Sequence, residues 1–112
     1  MRRRPKTDGN QSPIVHALRE AGASVAITSA QGDGFVDLVV GFEGRNYLAE
    51  VKEPQSPFVK GGEGGKRARR ADEYDPHFGF TPAEVKFHRD WKGSTIHVWR
   101  SVDEALQAIG VK

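Results

Sequence analysis

Asp37, Glu50 and Lys52 are charged residues in the most apolar, strand-like stretch of the chain, GDGFVDLVVGFEGRNYLAEVK at residues 32–52. Charges at half-buried positions cost free energy unless something compensates them. Residues 35–42 and 45–52 read as strands, and only Glu43-Gly44 separates them, which signals a tight hairpin. With the turn centred there, Phe42 faces Arg45, Val39 faces Leu48 and Asp37 faces Glu50. Directly opposed residues have Cβ atoms roughly 4.5–5.5 Å apart. Lys52 lies two residues beyond Glu50 and projects from the same side of the sheet.

Two carboxylates in such a position repel, and one is driven towards protonation unless a cation stands between them. A hard divalent ion resolves the conflict. Mg²⁺, or Mn²⁺ in its place, takes carboxylate oxygens, waters and the oxygens of a substrate phosphate. Lys52 would then hold a water for attack or stabilise charge on the phosphate. The same pairing equally admits a blander arrangement, in which Lys52 bridges two acids on a solvated sheet face.

The elements that must position these residues follow from pattern. Ile14, Val15, Leu18 and Ala21 have helical spacing, which predicts a first helix over about residues 11–21, with Asn10 or Ser12 as cap, Pro13 in the first turn and Gly22 as terminator. Residues 23–29 read as the first strand. Thr81-Pro82 with Glu84 predicts a capping box that opens a second helix, and Ser101 with Glu104 predicts another before a third. Residues 95–99 between them read as a strand. The order α-β-β-β-α-β-α predicts a small α/β domain with a mixed central sheet. Residues 1–9 read as a basic flexible arm, and 10–112 as one domain interrupted by a mobile basic insertion at about 53–79.

The 112-residue length suits one modest core. No apolar run is long enough for a membrane span, and no apolar segment follows the basic N-terminus to make a secretory signal. The absence of cysteine excludes disulfides and thiolate zinc sites and fits the cytoplasm. Net charge is only +2, but basic residues cluster. Arg2, Arg3, Arg4 and Lys6 form one group; Lys60, Lys66, Arg67, Arg69 and Arg70 form another. Such groups neutralise phosphates, or else are solvated tail and loop.

Other candidates are weaker. His16, His77, His88 and His97 lack paired metal spacing and are expected at the surface or in packing. Trp91 and Trp99 follow core patterns. GGEGG lacks the Lys-Ser/Thr of a nucleotide phosphate loop and reads as a linker. Ser29 ends a strand near the carboxylates, where it serves a turn or touches phosphate.

Asp37 followed after twelve residues by Glu50-Val51-Lys52 resembles the PD-(D/E)XK nuclease superfamily. The phrases NQSPIVHALREAGASV, GFVDLVVG, YLAEVK and TPAEVKFHRDWKG make the chain most similar to small VRR-NUC-type and Holliday-junction-resolvase-like proteins of bacteria and phages. The resemblance implies a restriction-endonuclease-like core. It implies metal binding by Asp37, Glu50 and the Val51 carbonyl, with Lys52 as the catalytic lysine. It further implies Mg²⁺-dependent hydrolysis of branched, flap or junction DNA in the cytoplasm of a bacterial or phage-infected cell, by a homodimer if two strands are cut symmetrically. The pattern also departs from the family. Gln11 stands where a first-helix acid is common in resolvase relatives, and Glu20 is an exposed helix residue rather than its substitute. Glu84 stands where a glutamine is common; its capping role accounts for it without catalysis, and the alternative is that Glu84, like Gln11, is an accessory residue of the site. Val36 replaces the usual proline. These departures leave two alternatives: a nuclease-fold module that grips DNA without cutting, and a structural or regulatory protein whose acids form an ion network.

Overall fold

The computed structural model describes residues 9–54, 58–60, 66–68 and 75–112. The described elements are α1 (Gln11–Glu20), β1 (Ser24–Ile27), β2 (Leu38–Phe42), β3 (Arg45–Val51), β4 (Phe58–Lys60), β5 (Lys66–Ala68), α2 (Pro82–Asp90), β6 (Ile96–Trp99) and α3 (Val102–Ala108). β1, β2, β3 and β6 form a mixed sheet in that order. The first two pairings are antiparallel and β3–β6 is parallel. A parallel pair needs a long crossover, and the chain from Lys52 to Thr95, which contains α2, provides it. The expected α/β class and mixed sheet are therefore present. The antiparallel β4–β5 pair lies inside the stretch read as an insertion without strands. None of the described helices is long and apolar enough to cross a membrane.

Strand alternation divides the sheet into two faces. Leu38 and Val40 of β2, Ala49 and Val51 of β3, and Trp99 of β6 are buried against Ile14, Val15 and Leu18 of α1, Ala105 of α3 and Ile109 just after it. The residues between them on β3, including Glu50, face the other way. The apolar face is thus closed by α1 and α3, and the opposite face is left for polar groups and α2.

The Glu43-Gly44 turn fixes the register. Both residues have positive φ, 50° and 80°. That is the handedness of a type I′ hairpin turn, whose twist matches its strands. Phe42 pairs with Arg45 and Val39 with Leu48, as expected, and the ladder runs to Leu38 opposite Ala49.

Helix ends follow their signals with two revisions. α1 ends at Gly22 with φ 100°, and the Gly22 and Ala23 amides donate back to Arg19 and Leu18 carbonyls. Asn10 precedes α1 but does not cap it with its side chain. Its amide nitrogen instead donates to the carbonyls of Lys52 at 3.0 Å and Arg100 at 2.7 Å, tying together the ends of β3 and β6. Thr81 and Glu84 form the full reciprocal capping box. Ser101 caps α3, but the Glu104 carboxylate reaches the Arg100 amide, one residue earlier than a box requires.

Arg100 joins the chain before β4 to the chain after β5. Its guanidinium donates to Glu53 O at 2.9 Å, Pro76 O at 3.3 Å and Phe78 O at 3.0 Å, and it stands over the Phe78 ring. Arg100→Met keeps the apolar stem and leaves three carbonyls without this donor. It is expected to lower stability by about 2–4 kcal/mol, read as a shift in the urea midpoint at unchanged slope. A midpoint equal to wild type would refute this role.

Candidate functional site

Asp37 sits just outside the β2 ladder. Its amide donates to Ala49 O at 3.1 Å, and its carboxylate Oδ2 accepts the Val51 amide at 2.8 Å. The side chain therefore takes the place that a strand carbonyl would hold, and this fixes its direction. Thr28 secures the same segment from the other side: its amide donates to Asp37 O at 2.7 Å and its hydroxyl to Val36 O at 2.7 Å. A residue's N–H and C=O leave an extended strand on the same edge, so the Val51 carbonyl also lies on the Asp37 side of β3. The strict cross-strand pairing of Asp37 with Glu50 is thus replaced by a bond across the end of the ladder, yet the two carboxyl groups still converge.

Glu50 is fully buried, and its Oε2 accepts no hydrogen bond. The Lys52 ammonium stands 3.9 Å from that oxygen. Burial, then the adjoining Asp37 carboxyl, then the charge of Glu84 push the Glu50 acid up to about 10, against the opposing pull of Lys52.

Lys52 follows β3 and is itself buried. Its Nζ donates to Glu84 Oε1 at 2.8 Å and lies 5.2 Å from the centre of the Phe80 ring. Glu84 Oε1 also accepts the Thr81 amide at 2.9 Å. The glutamate therefore caps α2 and binds Lys52 with one oxygen. Burial alone would raise the Glu84 acid, but hydrogen bonds from Lys52 and Thr81 overcome it and hold the group below its ordinary value.

Gly34 sets how closely α2 approaches. A Cβ there would fall 2.3 Å from the Ala83 carbonyl, and the residue has φ of 77°. The 32–35 turn therefore presses on the first turn of α2, beside Glu84.

His88 is packed, within the expectation, but it also joins this group. Its Nε2 lies 3.3 Å from Glu50 Oε1, and its ring meets Phe80 edge-on at 4.8 Å. Burial lowers its pKa below the usual imidazole range, with His77 and Lys52 reinforcing and Glu84 opposing. The signal was present as Glu84-x-x-x-His88, an i, i+4 spacing that places both side chains on one helix face.

The remaining candidates are not brought in. Gln11 is buried in the first turn of α1, and its Oε1 has no partner. Ser29 lies in the turn closed by the Gln31 amide on Thr28 O. Glu20 pairs with His16 on the exposed side of α1. Trp99 is in the core, but Trp91 is 40% exposed and stacks on Phe87, because α2 turns that flank outward. A cavity of about 470 Å³ there, lined by Asp33, Ala83, Lys86, Phe87, Asp90 and Trp91, contains none of the clustered residues. Arg2, Arg3, Arg4, Lys6, Arg69 and Arg70 lie outside the described residues. Lys60, Lys66 and Arg67 are described as backbone, with Lys60 paired to Lys66.

Among the described residues, no three His, Asp or Glu side chains are gathered as a ready-made metal site. Each acid has one oxygen committed, Asp37 to Val51, Glu50 to His88 and Glu84 to Lys52. The donor set nevertheless fits a hard divalent ion: Glu50 Oε2 accepts no hydrogen bond, and a cation beside it would offset the burial and the neighbouring carboxylates that raise the Glu50 acid.

Fold and cluster together define a small α/β protein with a four-stranded mixed sheet, whose polar face carries a buried carboxylate–lysine–imidazole group. Comparison of the chain with protein-family models, with curated proteins and with solved structures found no match.

Proposed function

We propose that this chain is a metal-dependent DNA endonuclease with a restriction-endonuclease-like core of the PD-(D/E)XK type, selective for branched, flap or junction DNA. The observation that carries this reading is the fully buried Glu50 carboxyl, whose Oε2 accepts no hydrogen bond, beside the Asp37 carboxyl and 3.9 Å from the Lys52 ammonium. Mg²⁺ or Mn²⁺, when bound, supplies charge neutralisation at a phosphate and a more acidic water.

Asp37 and Glu50 offer the oxygens for the ion, and the Val51 carbonyl lies on the same edge. The Val51 amide holds the Asp37 carboxylate in one orientation. Lys52 orients the attacking water or stabilises the negative charge that grows on the phosphate. Glu84 fixes the Lys52 ammonium in position. The basic arm and the basic residues of 60–70 follow the DNA backbone, which gives affinity without base readout.

The 2.8 Å Lys52–Glu84 contact favours one competing reading, a module that grips DNA while its lysine stays engaged. Labelled flap, four-way-junction, duplex and single-stranded DNA, each with Mg²⁺ and with Mn²⁺, separates the two. The wild type is expected to cut a branched substrate, and Asp37→Asn to lose activity by about 10²-fold or more. Binding without cleavage in either metal would favour the module. Equal cleavage by wild type and Asp37→Asn would remove the assigned site.

A further inference from the structure

We infer that His88 is a nitrogen ligand to the metal of this site and biases it towards a first-row transition dication such as Mn²⁺ over Mg²⁺. The inference rests on the metal-dependent reading above and adds a residue and a metal preference to it.

The geometry is specific. His88 projects from α2 on the same face as Glu84, one turn further along the helix, and reaches across to β3. Its Nε2 stands 3.3 Å from Glu50 Oε1, and the side chain is only 11% exposed. Adjacent donor atoms around a six-coordinate ion with bonds of about 2.1 Å are separated by about 3 Å, so these two atoms are spaced as neighbouring ligands. Phe80 packs edge-on against the imidazole and limits its rotation.

A purely structural imidazole would be expected to satisfy the buried carboxylate it meets. Here it engages one oxygen only, and Glu50 Oε2 accepts no hydrogen bond although it is fully buried. The buried end of Glu50 thus retains a donor oxygen, with the imidazole nitrogen at its other oxygen and the Asp37 carboxyl adjoining. Oxygen-only sites suit Mg²⁺, whereas an imidazole raises affinity for transition dications along the Irving–Williams order.

Pulsed electron paramagnetic resonance of the Mn²⁺-loaded full-length chain tests this, because a directly bound imidazole imposes ¹⁴N coupling on the Mn²⁺ signal. The wild type is expected to show that coupling. His88→Gln and His88→Asn are expected to lose it and to lower the Mn²⁺-over-Mg²⁺ preference in competition titrations about tenfold. Mn²⁺ bound by the wild type without nitrogen coupling, or coupling that persists in both variants, would overturn the role of His88 and leave the carboxylate site standing. The carboxylate reading fails separately. It falls, together with this inference, if the wild type binds no Mn²⁺ or if Asp37→Asn and Glu50→Gln bind it as tightly as wild type.

Discussion

Lys52→Met is expected to reduce cleavage by about 10²–10⁴-fold, the range for loss of a positioned proton-handling or charge-stabilising group, with DNA affinity within a few-fold of wild type. The difficulty is that Lys52 also holds the site together. Its ammonium is 2.8 Å from Glu84 and 3.9 Å from Glu50, and all three side chains are largely buried. Removing one partner of a buried ion pair costs about 3–5 kcal/mol, because the other charge is stranded. A loss of activity in the single variant therefore does not distinguish chemistry from unfolding. Lys52→Met/Glu84→Gln does. Glutamine at position 84 keeps an oxygen for the Thr81 amide, so the capping box survives, while the stranded charge is gone. The double variant is expected to regain at least half of the lost stability and none of the lost cleavage. If cleavage returns along with stability, Lys52 acts only as a structural cation and the catalytic assignment is wrong.

The parts of this site that follow from local rules were legible. Glu43-Gly44 dictated the turn, and the turn dictated the register as far as Leu38 opposite Ala49, one residue short of Asp37. The Thr81-Pro82-x-Glu84 pattern dictated where α2 starts. What was not legible depends on contacts between segments far apart in sequence. Asp37 leaves the ladder because its own side chain competes for the Val51 amide, a choice that strand alternation does not represent. Glu84 was read first as a cap and only as an accessory candidate for the site, since nothing local shows that the start of α2 will be laid over Lys52. Its proximity follows from packing, in which Gly34 admits the Ala83 carbonyl. His88 was set aside because metal spacing was sought among histidines, whereas its partner is a glutamate on another element. Arg100 carried no motif at all. Its role emerges only when the two ends of the basic segment meet at the end of β6. The assignment of Trp91 to the core failed because a helix that covers a polar sheet face exposes its opposite flank.

Glu50 makes a second strong prediction, on stability rather than rate. Its acid is raised from 4.5 to about 10 in the folded chain, chiefly by burial. Across that window the folded state keeps a proton that the unfolded state releases. Stability from this group is therefore complete below about pH 4.5 and is lost progressively as pH rises towards 10. The full shift overstates the loss, since local opening and entering water limit the cost of ionising the group. A decline of roughly 1–3 kcal/mol is expected. Urea unfolding in the presence of a chelator, at several pH values between 5 and 9, should show this decline in wild type. Glu50→Gln cannot ionise at this position, so its profile should be flatter and its stability at pH 8 higher than wild type. Saturating Mn²⁺ should reverse the order. A bound cation lowers the Glu50 acid and stabilises the folded wild type through binding, whereas Glu50→Gln has lost a ligand and gains less. Parallel pH profiles for the two proteins would show that Glu50 is not held protonated. Equal stabilisation of both by Mn²⁺ would show that Glu50 does not bind the ion. The pair of outcomes thus tests separately the electrostatic tension within the cluster and its relief by a cation.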